Sequence, residues 1–347
     1  MFEHMSTDSR GTTTALFFVA SPLHYLVARS VARHFEADSR CIVVPYRPDA
    51  RQLIHSQDWD GVVYAPWPRF DPLPGRFGRH RRLLANLHDV ATVVGRCDVL
   101  HIHSPVFDTE AINYFLRGLP KLCGATTMRA RILPDGLMNI ARHPLNVARR
   151  TAQYLRKLRR LASPQLDYWC FRGDRIGSEA PFVDRIYTLA GFPHDYPSEK
   201  IVSLPPLATG KSDSVNKFAL IVGQPLMGIG ALTQADHDAI CAQINDWLKV
   251  HGIDQVIYKA HPRDQAHEMR VPGADLLKIT EPLESHMATH PYRAVIGVNS
   301  TALYLARQIY GSETVVLSFG NDKVRFKSQA QRERAIRLMD SLGIKRL

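Results

Sequence analysis

Cysteine is scarce in this sequence and follows no pattern. The 347 residues include 5 cysteines, an odd number, and no two of them stand in a C-x-x-C spacing. These features argue against both a disulfide framework and a zinc site, and they favour a reducing compartment, so we expect a cytoplasmic protein. The cysteines are Cys41, Cys97, Cys123, Cys170 and Cys241.

A membrane-spanning or secretory segment is not found either. The apolar run at residues 15–20 is too short to cross a bilayer, and Ser21-Pro22 follows it instead of a signal-cleavage pattern. We therefore predict a buried strand there, in a protein that is soluble and not exported. The sequence also has no internal repeat, low-complexity segment or recognised nucleic-acid-binding module, so nucleic acid is not an expected partner.

Patterns that resemble nucleotide or metal motifs are incomplete. Gly210-Lys-Ser212 lacks the earlier glycine of a phosphate-binding P-loop, and Gly228-Ile-Gly230 lacks the third glycine of the dinucleotide fingerprint. Asp58-Trp-Asp60 precedes its predicted strand instead of ending it, and His101 and His103 have no third ligand in view. We therefore predict no metal and no cofactor.

Positive charge is plentiful and unevenly distributed. The formal net charge is +11, and basic side chains concentrate at residues 76–82 and 142–160. Apolar side chains recur at helical spacing in the second stretch, which predicts a basic amphipathic helix. Such a helix could hold an anionic acceptor, lie on an anionic membrane or present an ordinary solvated face. Its apolar positions are Val147, Tyr154, Leu155, Leu158 and Leu161.

Short apolar strands alternate with helical segments in both halves of the chain, which predicts an α/β fold with parallel sheets. A stretch rich in proline, serine and glycine at 203–214 separates the halves. We predict two Rossmann-like domains at 14–204 and 205–347, with a last helix that can cross back. The predicted strands are 15–20, 41–44, 61–64, 98–103, 126–133, 218–222, 255–259, 294–298 and 314–318. The predicted helices include 83–94, 142–160, 233–250, 303–309 and 329–342.

A cluster of cationic and proton-carrying side chains follows the predicted strand 255–259. Ligands of open α/β sheets bind beyond the carboxyl ends of the strands, so Lys259, His261 and Arg263 are expected to face a ligand. Their charges suit a phosphate or carboxylate, and Pro262 stiffens the turn. The alternative is a solvated loop that happens to contain His-Pro.

Three further strand ends carry polar groups. Asp135 follows a strand of the first domain, where a carboxylate in a partly desolvated position of raised pKa can act as general base towards an alcohol. Its alternative is an ordinary Asp-Gly turn. Gly223 and Gln224 could approach a nucleotide, and Ser300 and Thr301 open a helix whose amino end can bind an anion or is simply capped.

Taken in order, these motifs resemble the bacterial sialyltransferases and capsule polysialyltransferases. The resemblance spans residues 14 to about 320, and its main departure is Pro134, which stands where the first acidic residue of an acidic-acidic-glycine motif is expected. The segments that carry it are Ser21-Pro-Leu-His24, Asp135-Gly136, Gly223-Gln-Pro-Leu226, Tyr258-Lys-Ala-His-Pro262 and Asn299-Ser-Thr-Ala302.

The resemblance implies two Rossmann-like domains facing a central cleft, the GT-B arrangement, and metal-independent, inverting transfer of sialic acid from CMP-sialic acid. Asp135 would be the base, and His261 would assist the leaving group. The acceptor would be an anionic surface glycan or glycolipid, reached from the cytoplasmic face of the inner membrane. We place donor contacts at Gly223, Gln224, Lys259, Pro262, Asn299, Ser300 and Thr301, and acceptor contacts at Ser21, His24, Arg149, Arg150 and Arg156.

Two alternatives stay open at this point. One is a related transferase that uses another nonulosonic acid or a nucleotide-diphosphate sugar. The other is a non-catalytic protein whose positive charge binds polyanions.

Overall fold

The computed structural model describes residues 12–135, 142–207, 217–261, 263–326 and 328–347. The chain divides into two compact units. The first comprises the described residues up to Thr188 together with His194–Leu204, and the second comprises Leu189–Pro193 and the described residues from Pro205 onward. Residues 208–216 of the predicted linker lie outside the described residues, as do Gly136 and Pro262.

In its described part, the first unit is a seven-stranded parallel sheet with helices on both faces. Its strands are β1 (Thr13–Val19), β2 (Arg40–Pro45), β3 (Gly61–Val62), β4 (Val99–Ser104), β5 (Thr127–Ile132), β6 (Val183–Thr188) and β7 (Ile201–Ser203). Its helices are α1 (Pro22–Phe35), α2 (Pro48–Arg51), α3 (Gly78–Val94), α4 (Phe115–Cys123) and α5 (Val147–Lys157), and a 3-10 turn at Leu158–Leu161 extends α5.

The described second unit is a six-stranded parallel sheet. Its strands are β8 (Phe218–Val222), β9 (Gln255–Lys259), β10 (Asp275–Leu276), β11 (Ala294–Gly297), β12 (Val315–Ser318) and β13 (Lys345–Arg346). Its helices are α6 (Gln234–Val250), α7 (Leu283–Thr289), α8 (Thr301–Tyr310) and α9 (Gln329–Ser341).

Both sheets follow the doubly wound strand order. The first is β3-β2-β1-β4-β5-β6-β7 and the second is β10-β9-β8-β11-β12-β13, so in each unit the order reverses beside the first strand. The predicted class of two parallel α/β domains is confirmed. Ligands bind beyond the carboxyl ends of the strands near such a reversal. This edge is formed by the residues after β1, β4 and β5 in the first unit and after β9, β8 and β11 in the second.

The first strand of the chain shows how the sequence places the start of a helix at this edge. Every residue of 15–19 is fully buried, as the continuous apolar run predicts for a central parallel strand. Ser21 then caps α1, because its side chain accepts a hydrogen bond from the backbone N–H of His24, and Pro22 occupies the first helical position. Helix α1 therefore begins directly beyond β1 and carries His24 in its first turn.

The two incomplete metal patterns in the first unit have structural partners. His101 and His103 both contact the carboxylate of buried Glu36, which also pairs with Arg131. Burial alone would raise the pKa of Glu36, but these histidine hydrogen bonds and nearby positive charges lower it well below its usual range.

Asp58 and Asp60 likewise serve the fold. Asp58 accepts a hydrogen bond from the Tyr25 hydroxyl and forms an ion pair with Arg29, each at 3.0 Å, and Asp60 accepts a hydrogen bond from the backbone N–H of Cys41 at 2.7 Å. Within the described residues, no group of three or more His, Cys, Asp or Glu side chains could hold a metal ion.

Candidate functional site

Asp135 and His24 form a hydrogen-bonded pair at the carboxyl edge of the first sheet. Asp135 follows β5 and His24 lies in the first turn of α1, so they flank the end of β4. The Nε2 atom of His24 lies 2.7 Å from Oδ1 of Asp135. The His24 side chain is 6% exposed and that of Asp135 is 30% exposed, so the carboxylate is the member of the pair that solvent reaches.

The other ring nitrogen of His24 fixes its tautomer. Nδ1 lies 3.3 Å from the backbone N–H of Ala20, which can only donate. Nδ1 must therefore accept, and the proton of the neutral ring resides on Nε2, from which it is donated to Asp135. Both nitrogens of His24 are thus engaged within the protein. The predicted acceptor contact of His24 would require one of these bonds to break.

The electrostatic environment of Asp135 differs from the expectation. Burial raises its pKa, but the hydrogen bond from His24 lowers it, and the net shift is downward. The prediction of a raised pKa is wrong, because it could not include a histidine that comes 111 positions earlier in the chain. Asp135 is therefore ionised at neutral pH. Its charge adds to the effect of burial in raising the pKa of nearby Tyr46.

His261 occupies the corresponding edge of the second sheet. It follows β9, the neighbour of β8, and its Nδ1 accepts a hydrogen bond of 3.1 Å from the backbone N–H of Arg263. The neutral ring therefore carries its proton on Nε2. That Nε2 has no hydrogen-bond partner among the described residues. Lys259, just before it, directs Nζ towards the carbonyl oxygen of Ala260 at 3.1 Å.

A buried pair supports the turn that carries His261. The hydroxyl of Tyr258 donates to Oδ2 of Asp264 at 2.5 Å, and Oδ1 of Asp264 accepts from the backbone N–H of Glu268 at 3.0 Å. Tyr258 is fully buried and Asp264 nearly so. Asp264 also donates its own N–H to the carbonyl oxygen of His261. Together these bonds fix both sides of the His261 turn.

The same pair explains Gly223. A Cβ atom at this position would lie 2.1 Å from the Tyr258 hydroxyl oxygen and 3.0 Å from Oδ2 of Asp264, so no larger residue fits. From the sequence alone, we attributed the small residue at position 223 to the close approach of a nucleotide. The structure supplies a packing reason, and the predicted donor contact of Gly223 stays a prediction.

Gln224 and Asn299 join the ends of β8 and β11. The Gln224 side chain accepts from the backbone N–H of Asn299 and donates to its carbonyl oxygen, both at 3.0 Å. Ser300 then caps α8 by accepting from the backbone N–H of Ala302 at 3.3 Å, while Thr301 is exposed at the first helical position. The predicted residues that follow β8, β9 and β11 thus lie at one edge of the sheet. The amino end of α8 lies at the same edge, because α8 follows β11.

The predicted acceptor arginines divide into two kinds. Arg149 and Arg150 are exposed. Arg156 is half-buried and donates to the hydroxyl of Tyr168 at 3.0 Å, with Asp108 at 3.8 Å. An acceptor contact of Arg156 would have to replace these internal partners.

Tyr46, Tyr258 and Asp264 were not identified as site residues from the sequence. Tyr258 lies in the segment 258–262 that carries the resemblance, and Asp264 follows two residues after it, but nothing in the pattern shows that their side chains meet. Only the turn between them brings the two together.

Two parallel-sheet α/β units, each with polar side chains at its carboxyl edge, are the class of scaffold that the GT-B resemblance implies. The family model of the alpha-2,8-polysialyltransferases matches residues 177–318 of this chain. The match confirms the resemblance and supports a sialyltransferase-like glycosyltransferase. It contains His261 and Ser300 and excludes Asp135 and α5. A search of the curated proteins gave no match.

Several solved structures are similar in fold. Glycosyltransferase SnogD from Streptomyces nogalater has 11% identity and a TM-score of 0.48, over 97% of each chain. The calicheamicin glycosyltransferase CalG4 has 13% identity and a TM-score of 0.47, over 97% of this chain and 86% of that one. A UDP-GlcNAc 2-epimerase from Neisseria meningitidis has 10% identity and a TM-score of 0.44, over 96% and 90%. Because they include transferases and an epimerase, these neighbours do not distinguish one activity from another.

Proposed function

We propose that this protein is an inverting, metal-independent glycosyltransferase that moves sialic acid from CMP-sialic acid to a hydroxyl group of a surface glycan, such as capsule polysaccharide or lipooligosaccharide. The observation that carries the proposal is the polysialyltransferase match over residues 177–318. Within that match, Nδ1 of His261 accepts from the backbone N–H of Arg263, which leaves the Nε2 proton for a ligand. The chemistry of each sheet edge supports it.

The donor side of the reaction is assigned to the second unit. As the bond between the anomeric carbon and the phosphate oxygen of CMP breaks, negative charge grows on that phosphate. His261 donates a hydrogen bond or proton to it from Nε2, and Thr301 stabilises the charge together with the amino end of α8, whose dipole favours an anion. Ser300 orders that helix end through its cap. Lys259 adds electrostatic attraction for the anionic donor.

The acceptor side is assigned to the first unit. The ionised carboxylate of Asp135 takes the proton of the acceptor hydroxyl, and the resulting oxygen attacks the anomeric carbon from the face opposite CMP, which inverts its configuration. We reassign His24 from acceptor binding to holding Asp135, since its ring is buried and bonded at both nitrogens. Exposed Arg149 and Arg150 remain the proposed contacts for an anionic acceptor.

The reaction as proposed uses no metal, because hydroxyl groups, backbone amides and cationic side chains stabilise the phosphate charge.

We also propose a cytoplasmic location. All five cysteines are free in the structure, and three of them are buried, which suits a reducing compartment. No helix among the described residues is both long and apolar enough to cross a membrane.

A nucleotide panel tests the donor. Thermal unfolding is measured with CMP, UDP, GDP and their sugar conjugates, and release of each free nucleotide is then followed with purified protein with and without EDTA. We expect CMP and CMP-sialic acid to raise the melting temperature, since a ligand that binds only the folded state stabilises it. Turnover of CMP-sialic acid should persist in EDTA. Stabilisation by a uridine or guanosine nucleotide alone would overturn the donor, and activity restored only by added Mg²⁺ or Mn²⁺ would overturn the metal-free step.

A further inference from the structure

Helix α5 and the 3-10 turn after it present their apolar side to solvent. The side chains at 147, 154, 158 and 161 follow one another at spacings of 7, 4 and 3, so they form a single stripe on the helix, and the side chain at 155 borders it. We call this stripe the exposed apolar face. Its members are Val147 at 80% exposure, Tyr154 at 65%, Leu155 at 63%, Leu158 at 57% and Leu161 at 79%.

The opposite, polar side of α5 packs against the first unit. Gln153 is the buried residue of the helix. Arg156 donates to Tyr168, and Arg159 donates to Tyr114 at 2.9 Å and pairs with Glu110. An ordinary surface helix buries its apolar stripe and exposes its charges. Helix α5 does the reverse, so hydrogen bonds hold it to the protein while its apolar stripe has no cover among the described residues.

A further exposed apolar side chain, Phe77, lies in a segment that is hydrogen-bonded to the residues just after this face. Phe77 stands just before α3 with a positive φ of 59°, and its ring is 80% exposed. His80 lies within hydrogen-bond distance of Ser163, at 2.9 Å, which joins this segment to the residues directly after Leu161. The two basic stretches of the sequence therefore meet on the first unit.

The charges within these two segments have one sign. Neither residues 76–82 nor residues 142–161 include an acidic residue. The cations that lie exposed in the two segments are Arg76, Arg79, Arg81, Arg149, Arg150 and Arg160. Apolar side chains bordered by arginines are the pattern of a helix that lies in the plane of a membrane interface, with its apolar stripe among the acyl chains and its cations at anionic headgroups.

We propose that the exposed apolar face and Phe77 dock this protein on the surface of an anionic lipid bilayer. A soluble anionic glycan would use the arginines but offers nothing to five apolar side chains. A second copy of the chain would bring its own arginines against these, at a cost in like-charge repulsion. Lipid docking does not depend on the transfer reaction, and it is measured without donor or acceptor.

The test is cosedimentation with vesicles of phosphatidylcholine containing phosphatidylglycerol, compared with phosphatidylcholine alone. The apolar variant is Leu155→Ser, Leu158→Ser, Leu161→Ser. Its matched control is Ile229→Ser, Val250→Ser, which removes two side chains that are 62% and 82% exposed elsewhere. We expect the protein to prefer anionic vesicles, the apolar variant to bind about tenfold or more weakly, and the control to bind as the parent does. Binding should weaken towards 1 M salt, as arginine attraction is screened.

Insertion itself is measured with Leu158→Trp, whose emission should shift to shorter wavelength and be quenched by brominated acyl chains, while Val250→Trp should show neither change. This readout stands even if the triple-serine variant folds poorly. The proposal would be overturned if the parent protein did not bind anionic vesicles, or if the apolar variant bound them as tightly as the parent does. So would light scattering that shows the parent to be a dimer and the apolar variant a monomer, because a second copy would then cover the face.

Discussion

The two sheets of this protein each place a histidine at the carboxyl edge, and the two histidines are held in the same way but left with different freedom. In both, Nδ1 accepts from a backbone N–H, of Ala20 for His24 and of Arg263 for His261, which puts the proton on Nε2. In His24 that proton is already directed to Asp135 at 2.7 Å. In His261 that proton has no hydrogen-bond acceptor among the described residues.

The difference separates a positioning residue from a reacting one. A backbone donor on Nδ1 prepares Nε2 as a hydrogen-bond donor in either case. Where a carboxylate accepts that bond inside the protein, the histidine orients the carboxylate and lowers its pKa. Where Nε2 is left for a ligand, the histidine can donate to a departing phosphate. The same kind of hydrogen bond, from a backbone N–H to Nδ1, therefore supports a base in one unit and an acid in the other.

Removing the base should have the largest effect. Asp135→Asn keeps the shape of the side chain but cannot accept a proton from the acceptor, so we expect transfer to fall about 10²- to 10⁴-fold. Single-turnover transfer from CMP-sialic acid measures it. The exposed Asp98, which accepts from the backbone N–H of Thr12, provides a control as Asp98→Asn and should retain parental turnover. An Asp135→Asn variant within a few-fold of the parent would remove Asp135 as the base.

His261→Ala should reduce transfer about 100-fold or more, because the departing phosphate loses its hydrogen-bond donor. The fold should be unaffected, and CMP should still raise the melting temperature. The control is His251→Ala, at an exposed ring beside Trp247 in the same unit. If His261→Ala abolished CMP binding as well, the residue would be a binding group and the comparison with His24 would lose its basis.

His24→Ala should have an intermediate effect, about tenfold in turnover, because Asp135 loses its orientation but remains present. With His24 gone, burial is left to raise the pKa of Asp135. Asp135 acts as a base only when ionised, so the acidic limb of the pH profile should move to higher pH. Asp135→Asn shows no such limb to move and serves as the control. If His24→Ala unfolded the first unit and left the acidic limb of the pH profile in place, that result would contradict the positioning role.

The same pair makes a stability prediction. A carboxyl group whose pKa is lowered on folding stabilises the protein above its unfolded pKa of about 3.9, and this contribution is lost as pH falls through the lower, folded value. His24→Ala should therefore lower the free energy of unfolding at pH 7, and the difference from the parent should shrink below about pH 4. Urea unfolding at several pH values measures the difference.

Sequence reasoning reached the sheets and the strand ends but not the contacts between them. Continuous apolar runs identified β1, β8 and β11, because parallel strands buried on both faces need them. Residues 183–188, which form β6, were passed over, since Asp184 and Arg185 interrupt the apolar pattern. Helix α3 begins at Gly78, five residues before the predicted start at 83, because the first turn is basic and carries no apolar signal.

The site shows the same division between local and distant information. Residue types and their places at strand ends selected Asp135, His261 and Ser300 without any knowledge of partners. The bond between His24 and Asp135 depends on which strands neighbour β4. The helical spacing in 142–160 predicted an amphipathic helix, but not that its arginine side would face Tyr114 and Tyr168. Only packing decides which side of such a helix is buried.

The smallest effect should come from the support beneath His261, the counterpart of His24 beneath Asp135. Tyr258→Phe removes the hydroxyl group that donates to Asp264 and leaves one buried carboxylate oxygen without that donor, at a cost of about 1 to 3 kcal/mol in the free energy of unfolding. Turnover should fall only a few-fold, because Asp264 still accepts from Glu268 and still donates to the carbonyl oxygen of His261.

A double-mutant cycle with Gly223→Ala sharpens this last prediction. The added Cβ would lie 2.1 Å from the Tyr258 hydroxyl oxygen but 2.6 Å from the ring carbon that bears it, so Tyr258→Phe relieves part of the clash. Gly223→Ala alone should cost about 1 to 3 kcal/mol through overpacking. The double variant should be less destabilised than the sum of the single variants, since the two changes share one contact. Strict additivity in urea unfolding would mean that Gly223 is small for another reason, and the nucleotide contact predicted from the sequence would then be the better explanation.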